Sequence, residues 1–198
     1  MAENLKLNKK ELKCFNFEKT FLYKTKDEYS FGEPLTHCLF VSDDKTETNV
    51  GFEDYLFDFL NICSLVDKKP SIIFADKNLN NDNVQISLGD NYYKIREDSE
   101  SELLNQEPCY CMVNSFSGAV NNILLSRYEQ NQYIKTFVIV DSLENYDAKK
   151  IVPIIKVAHE KDIHFIIHIK NMEELLKNIS KNDFKVIQEN CNLKLLCK

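Results

Sequence analysis

"KTFVIVDSLEN", residues 135–145, is the stretch on which the reading of the whole chain turns. Phe137, Val138, Ile139 and Val140 form an apolar run without alternation, as expected of a strand buried on both faces in a helix-covered parallel sheet. The run delivers Asp141 at its carboxyl end, the edge where open α/β sheets place their ligands. A P-loop nucleotide hydrolase holds magnesium with an aspartate so placed and wants glutamate next, but here Ser142 follows. A plainer role for Asp141, as a cap on the loop or the next helix, accounts for the residue equally well.

Outward from this strand, short apolar runs alternate with helical patterns. Upstream are "CLFVS", a helix near 51–64, "SIIFAD", a hairpin near 84–95, "CYCMVN" and a helix near 116–130. Downstream are a helix near 147–160, "IHFIIHI", a helix near 171–179 and a final strand "LKLLC". The pattern predicts an α/β fold of three layers with a mainly parallel central sheet and a small β-hairpin. Ser42, Asp76, Asn114, Asp141 and Lys170 would then line the functional edge. Residues 1–30, rich in Lys, Asn and Glu, read as an arm or edge element, and 31–198 as one domain.

The chain of 198 residues is long enough to bury a core without disulfide or metal staples. A net charge of −6 disfavours direct nucleic-acid binding, which needs clustered Lys and Arg. The seven cysteines, Cys14, Cys38, Cys63, Cys109, Cys111, Cys191 and Cys197, lack zinc-ribbon spacing and fit reduced thiols in a cytoplasmic protein. The start, "MAENLKLNKKELKC", has no apolar core of a signal peptide, and no run approaches the ~20 apolar residues that span a bilayer. Membrane insertion is not expected.

A P-loop requires G-x-x-x-x-G-K-[ST], because only glycines let successive N–H groups curl round phosphate. After "CLF" the chain reads "VSDDKTETNVGFEDY", with Lys45 and Thr46 as a vestigial K-T but no glycine between Gly32 and Gly51. Asp43, Asp44 and Glu47 put acids where phosphate would lie, and Glu53 and Asp54 already complement the dipole of the following helix. Lys45 and Thr46 read either as a weakened nucleotide site or as an ordinary polar loop.

Other chemistry finds little support. His164 and His168 have metal-ligand spacing for a helix, but in a strand four residues span roughly 13 Å, too far to share one ion. Cys109 and Cys111 share a strand face and read as buried thiols. Met172, Leu175, Leu176 and Ile179 at helical spacing read as the buried face of a core helix. No metal site is expected.

The stretch from Lys135 to Cys197 resembles the carboxyl half of the ATPase core of conjugative coupling proteins of the TraG/TraD class, relatives of FtsK-type DNA translocases. Those families run through a strand ending D-E-[FL]-x-N, a helix, a basic turn, a strand I-x-x-I-I-x-x-Q, a helix, and N-C-[DN] before the last strand. Here the order is "VDSLEN", "AHEKD", "IHFIIHIKN", "MEELLKNI" and "QENCNLKLL". Upstream, "PLTHCLFVS" resembles the strand that leads into the P-loop, and "SIIFADK" the second strand, ending D-P-K. The resemblance implies a RecA-like (P-loop NTPase-like) domain. It also implies vestigial nucleotide contacts at Lys45, Thr46 and Asp141.

The departures concern the reaction. Asn145 keeps the family asparagine, but Ser142 replaces the glutamate that polarises water, and a hydroxyl cannot act as that base. Lys170 stands where a glutamine senses the γ-phosphate, and His159 where a transition-state arginine belongs. With the glycine loop also absent, phosphoryl transfer has lost several parts together. The expectation is a catalytically inactive ATPase-like domain that needs no cofactor. It would act as scaffold or regulator in a conjugative or secretion-type translocation machine. Its partner would be an active ATPase paralogue or another copy of itself, reached near His159 and Lys161. Two alternatives stand beside it: a weak Mg-ATP hydrolase in which Lys45, Asp141 and Glu144 bind nucleotide and Glu144 serves as base, and an unrelated α/β interaction adaptor.

Overall fold

The computed structural model describes residues 22–24, 29–31, 37–42, 50–75, 81–90, 92–94, 107–129 and 134–197. Two short strands, β1 (Leu22–Lys24) and β2 (Tyr29–Phe31), pair antiparallel with Leu22 opposite Phe31. The remaining described strands are β3 (Cys38–Ser42), β4 (Ser71–Ala75), β5 (Tyr93–Lys94), β6 (Cys109–Met112), β7 (Thr136–Val140), β8 (Ile163–Ile169) and β9 (Leu193–Cys197). They form one seven-stranded sheet in the order β5-β6-β4-β7-β8-β3-β9. Every neighbouring pair in it is parallel.

Parallel neighbours require crossovers, and helices supply them: α1 (Val50–Leu65), α2 (Asn81–Leu88), α3 (Phe116–Glu129), α4 (Ile151–Ala158), α5 (Met172–Asn178) and α6 (Lys181–Asn190). Alternate strand residues feed two cores. Val138, Val140, Ile167 and Val41 pack with residues of α3, α4, α5 and α6. Phe137, Ile139, Ile166 and Phe40 pack with residues of α1 and α2. All seven residues of β8 are buried, which is why it carries no polar alternation. The result is a three-layer α/β domain with a parallel central sheet, in which β8 is inserted between β3 and β7.

Three elements differ from the sequence expectation. The hairpin near 84–95 is instead α2 followed by a two-residue strand parallel to β6. Val84 and Leu88, one helical turn apart, are both fully buried, and Gly89, at φ 70°, ends the helix in the left-handed region. The helix expected over 147–160 divides into the shorter α4 and a single 3₁₀ turn on either side of it, Ala148–Lys150 and His159–Lys161, and a further 3₁₀ turn, Leu143–Asn145, precedes them. Pro153 sits in the first turn of α4, where its missing N–H costs nothing. Helix α6 was not expected at all; Ser180 and Asp183 form the capping box that starts it.

The amino-terminal edge of the sheet is tied by two buried polar side chains. The Arg127 guanidinium, at the end of α3, donates to the carbonyl of Lys161, and at 2.6 Å to both the Ile134 carbonyl and Thr136 Oγ1. His37, just before β3, donates from Nε2 to the Ile155 carbonyl and accepts the Phe165 N–H at Nδ1, each at 2.9 Å. Burial, the dominant influence, pushes the His37 pKa down to about 3 and keeps the ring neutral. No helix among the described residues is long and apolar enough to cross a membrane.

Candidate functional site

Strand parity decides which side chains meet at the carboxyl edge. Phe137 and Ile139 face α1, so Asp141, two residues on, follows them; by the same count Phe40 leads to Ser42 and Ile166 to His168. Phe40 pairs with His168 in register, and Val140 with Ile167, so these three strand ends lie side by side.

The side chains form one connected cluster. Asp141 Oδ1 lies 2.6 Å from His168 Nδ1, and Asp141 Oδ2 accepts from Lys170 Nζ at 2.5 Å. On the other side of the imidazole, His168 Nε2 lies 2.7 Å from Ser42 Oγ. Phe52 of α1 stacks on the His168 ring at 4.1 Å between centroids. Asp141 and His168 are buried, whereas Ser42 and Lys170 are half-buried. Burial alone would raise the Asp141 pKa, but the hydrogen bonds and charge of His168 and Lys170 outweigh it and hold the carboxyl below its usual range.

Ser142 turns the chain sharply after β7, with φ 58° and ψ 63°, and its carbonyl accepts the Asn145 N–H at 2.9 Å. Its buried hydroxyl reaches back to Asp141 Oδ2 at 3.4 Å. Glu144 is aimed away from that cluster: its carboxylate accepts the backbone N–H of Lys170 at 3.3 Å and of Asn171 at 3.1 Å. It thereby fixes the turn between β8 and α5, and burial raises its pKa despite those hydrogen bonds. Asn145 is exposed and lines a shallow polar groove of about 390 Å³ with Tyr146, Lys149 and Asn178.

The expected site residues therefore separate. Asp141, Ser142 and Lys170 come together, joined by Ser42, while Asn145 sits beside them. His159 lies at the opposite edge, before β8, exposed and with its ring 6.2 Å from that of His37. Lys45, Thr46 and Asp76 fall outside the described residues, and Asn114 is exposed. His164 and His168 occupy the two ends of β8; His164 Nε2 faces Asp162 Oδ1 at 3.5 Å, whereas His168 serves the cluster. Cys109 and Cys111 are buried together in the core on the α3 side. In α5, Leu175 is buried with Ile179 beyond it, while Leu176 is 38 % exposed.

His168 is the functional residue that sequence reasoning missed. Its signal was available: two residues before Lys170 in a strand, it had to share the face that leads to that lysine.

No protein-family model matches the chain, and no curated protein matches it. Among solved structures it is similar to one described as "ATPase", at 11 % identity and TM-score 0.48, over 89 % of this chain and 72 % of that one. It is also similar to B204, the DNA-packaging ATPase of Sulfolobus turreted icosahedral virus, at 13 % identity and TM-score 0.44, over 80 % of this chain and 83 % of that one. The third similarity is to the genome-packaging NTPase B204 of Sulfolobus turreted icosahedral virus 2 in complex with AMP, at 12 % identity and TM-score 0.42, over 79 % and 83 % of the two chains.

Proposed function

We propose that this ATPase-like domain does not hydrolyse nucleotide and works through protein contacts, as scaffold or regulator in a cytoplasmic translocation assembly of the conjugative or secretion type. The observation that carries the proposal is the pairing of Asp141: one carboxylate oxygen meets His168 Nδ1 at 2.6 Å and the other meets Lys170 Nζ at 2.5 Å.

A magnesium ion held by this aspartate would need those oxygens, and it demands near-ideal octahedral geometry. It would also lie beside the Lys170 ammonium, a repulsion of about 8 kcal/mol for a divalent ion at 4 Å in a medium of effective dielectric 20. The residues present thus fit a built-in cation better than a bound one. Neither Ser142 nor Glu144 supplies a base. The first lacks a carboxylate, and using the second would release the amides of Lys170 and Asn171. This favours the inactive reading over the weak hydrolase.

Within such an assembly the exposed surface near His159, on the edge away from the Asp141 cluster, is where an active paralogue or a second copy would dock. Hydrolysis assays on the pure chain test the reading. The expected outcome is no turnover of Mg-ATP above the no-protein rate, and steady turnover abolished by Asp141→Ala would refute it.

A further inference from the structure

The hydrogen-bond chain from Ser42 through His168 to Asp141 has a direction. Asp141 is held ionised, so its Oδ1 accepts and His168 Nδ1 carries the ring proton. That tautomer leaves Nε2 with a lone pair pointed at Ser42 Oγ, 2.7 Å away, so the serine hydroxyl donates. A hydroxyl, an imidazole that accepts its proton, and a buried carboxylate that fixes the imidazole are the three roles of an activated serine, recognised by geometry and not by order along the chain.

We propose that Ser42 is a nucleophile toward small acyl esters, with His168 as general base and Asp141 as the residue that positions it. Ser42 is half-buried at the carboxyl edge of the sheet. His168 is buried with its ring stacked on Phe52, which fixes the imidazole against Ser42. Lys170, whose register places it beside Ser42, spends one contact on Asp141 and has ammonium donors left for a single developing oxyanion. The same ion pairing leaves no surplus charge for a phosphoryl group, which is why an acyl substrate is favoured.

The step balances with water as co-reactant. Ser42 Oγ bonds to the acyl carbon as its proton passes to His168 Nε2. The bond from carbon to the leaving alcohol breaks, and His168 returns the proton to that alcohol. Water then releases the acid by the same path and restores the serine. This chemistry uses no nucleotide, so it goes beyond the scaffold reading and does not depend on it.

The test is labelling of the full chain with an alkyl fluorophosphonate, in which the serine oxygen displaces fluoride from phosphorus. Peptide mapping is expected to find the adduct on Ser42, no adduct there in His168→Gln, and labelling slowed about 10²- to 10⁴-fold in Asp141→Asn. Thermal melts establish that each variant is folded. Turnover of p-nitrophenyl acetate supplies a second readout and is expected to fall to background in Ser42→Ala, which removes one half-buried hydroxyl. Three results would overturn the inference: Ser42 unlabelled in the folded wild type while a serine esterase in the same tube is labelled, labelling indifferent to His168→Gln, or equal ester turnover in wild type and Ser42→Ala. A Mg-ATP titration on the same material tests the scaffold reading separately.

Discussion

At the scale of the residue, Lys170 decides the chemistry of the site by holding Asp141 Oδ2. Lys170→Ala removes the built-in cation and is expected to raise Mg²⁺ affinity by about tenfold or more, read by calorimetry. His37 governs acid stability. Its folded pKa of about 3 lies below its unfolded value near 6.5, so between those limits the unfolded state binds the extra proton. Stability is therefore complete above about pH 6.5 and falls as pH drops toward 3, by up to about 1.4 kcal/mol per unit. In urea unfolding at a series of pH values, His37→Gln should lower stability at pH 7 and remove this part of the slope. Asp141 acts in the usual carboxylate direction: its depressed folded pKa gives stability that is present above about pH 4 and lost below it. Asp141, Ser142 and Lys170 were legible because each follows an apolar run whose end is visible in sequence. The link from Ser42 to His168 spans 126 residues and depends on the register of β3 on β8, which no local pattern encodes.

At the scale of the element, the amino edge is held by the Arg127 guanidinium, which joins the end of α3 to the starts of β7 and β8. Arg127→Met keeps much of the volume but strands buried carbonyls. Denaturant unfolding is expected to show a loss of roughly 2–5 kcal/mol. Ser180→Ala, which removes the cap of α6, should cost about 1 kcal/mol. The strands were readable because runs such as "FVIV" and "FIIHI" have no amphipathic alternative. Helix α2 was not, since Asn81 to Leu88 is polar apart from Val84, Ile86 and Leu88, a two-residue spacing that also fits a strand. Packing settles it: Val84 and Leu88 are buried while Ile86 is 78 % exposed, so the i, i+4 pair is the one that touches the core. The capping box of α6 was legible as Ser180 followed three residues later by Asp183, but a short polar helix gives a weak periodic signal.

At the scale of the molecule, the three-layer order places β8 between the strand that leads toward Lys45 and the strand that ends at Asp141. Its last residues, His168 among them, therefore stand between the carboxyl ends of β3 and β7, and Lys170 extends the same face. At that edge Ser42, His168, Asp141 and Lys170 satisfy one another. The most direct test is calorimetric titration of Mg-ATP into the full chain. No saturable heat is expected up to millimolar nucleotide in the wild type. Saturable binding at micromolar nucleotide, lost in Asp141→Ala, would contradict it.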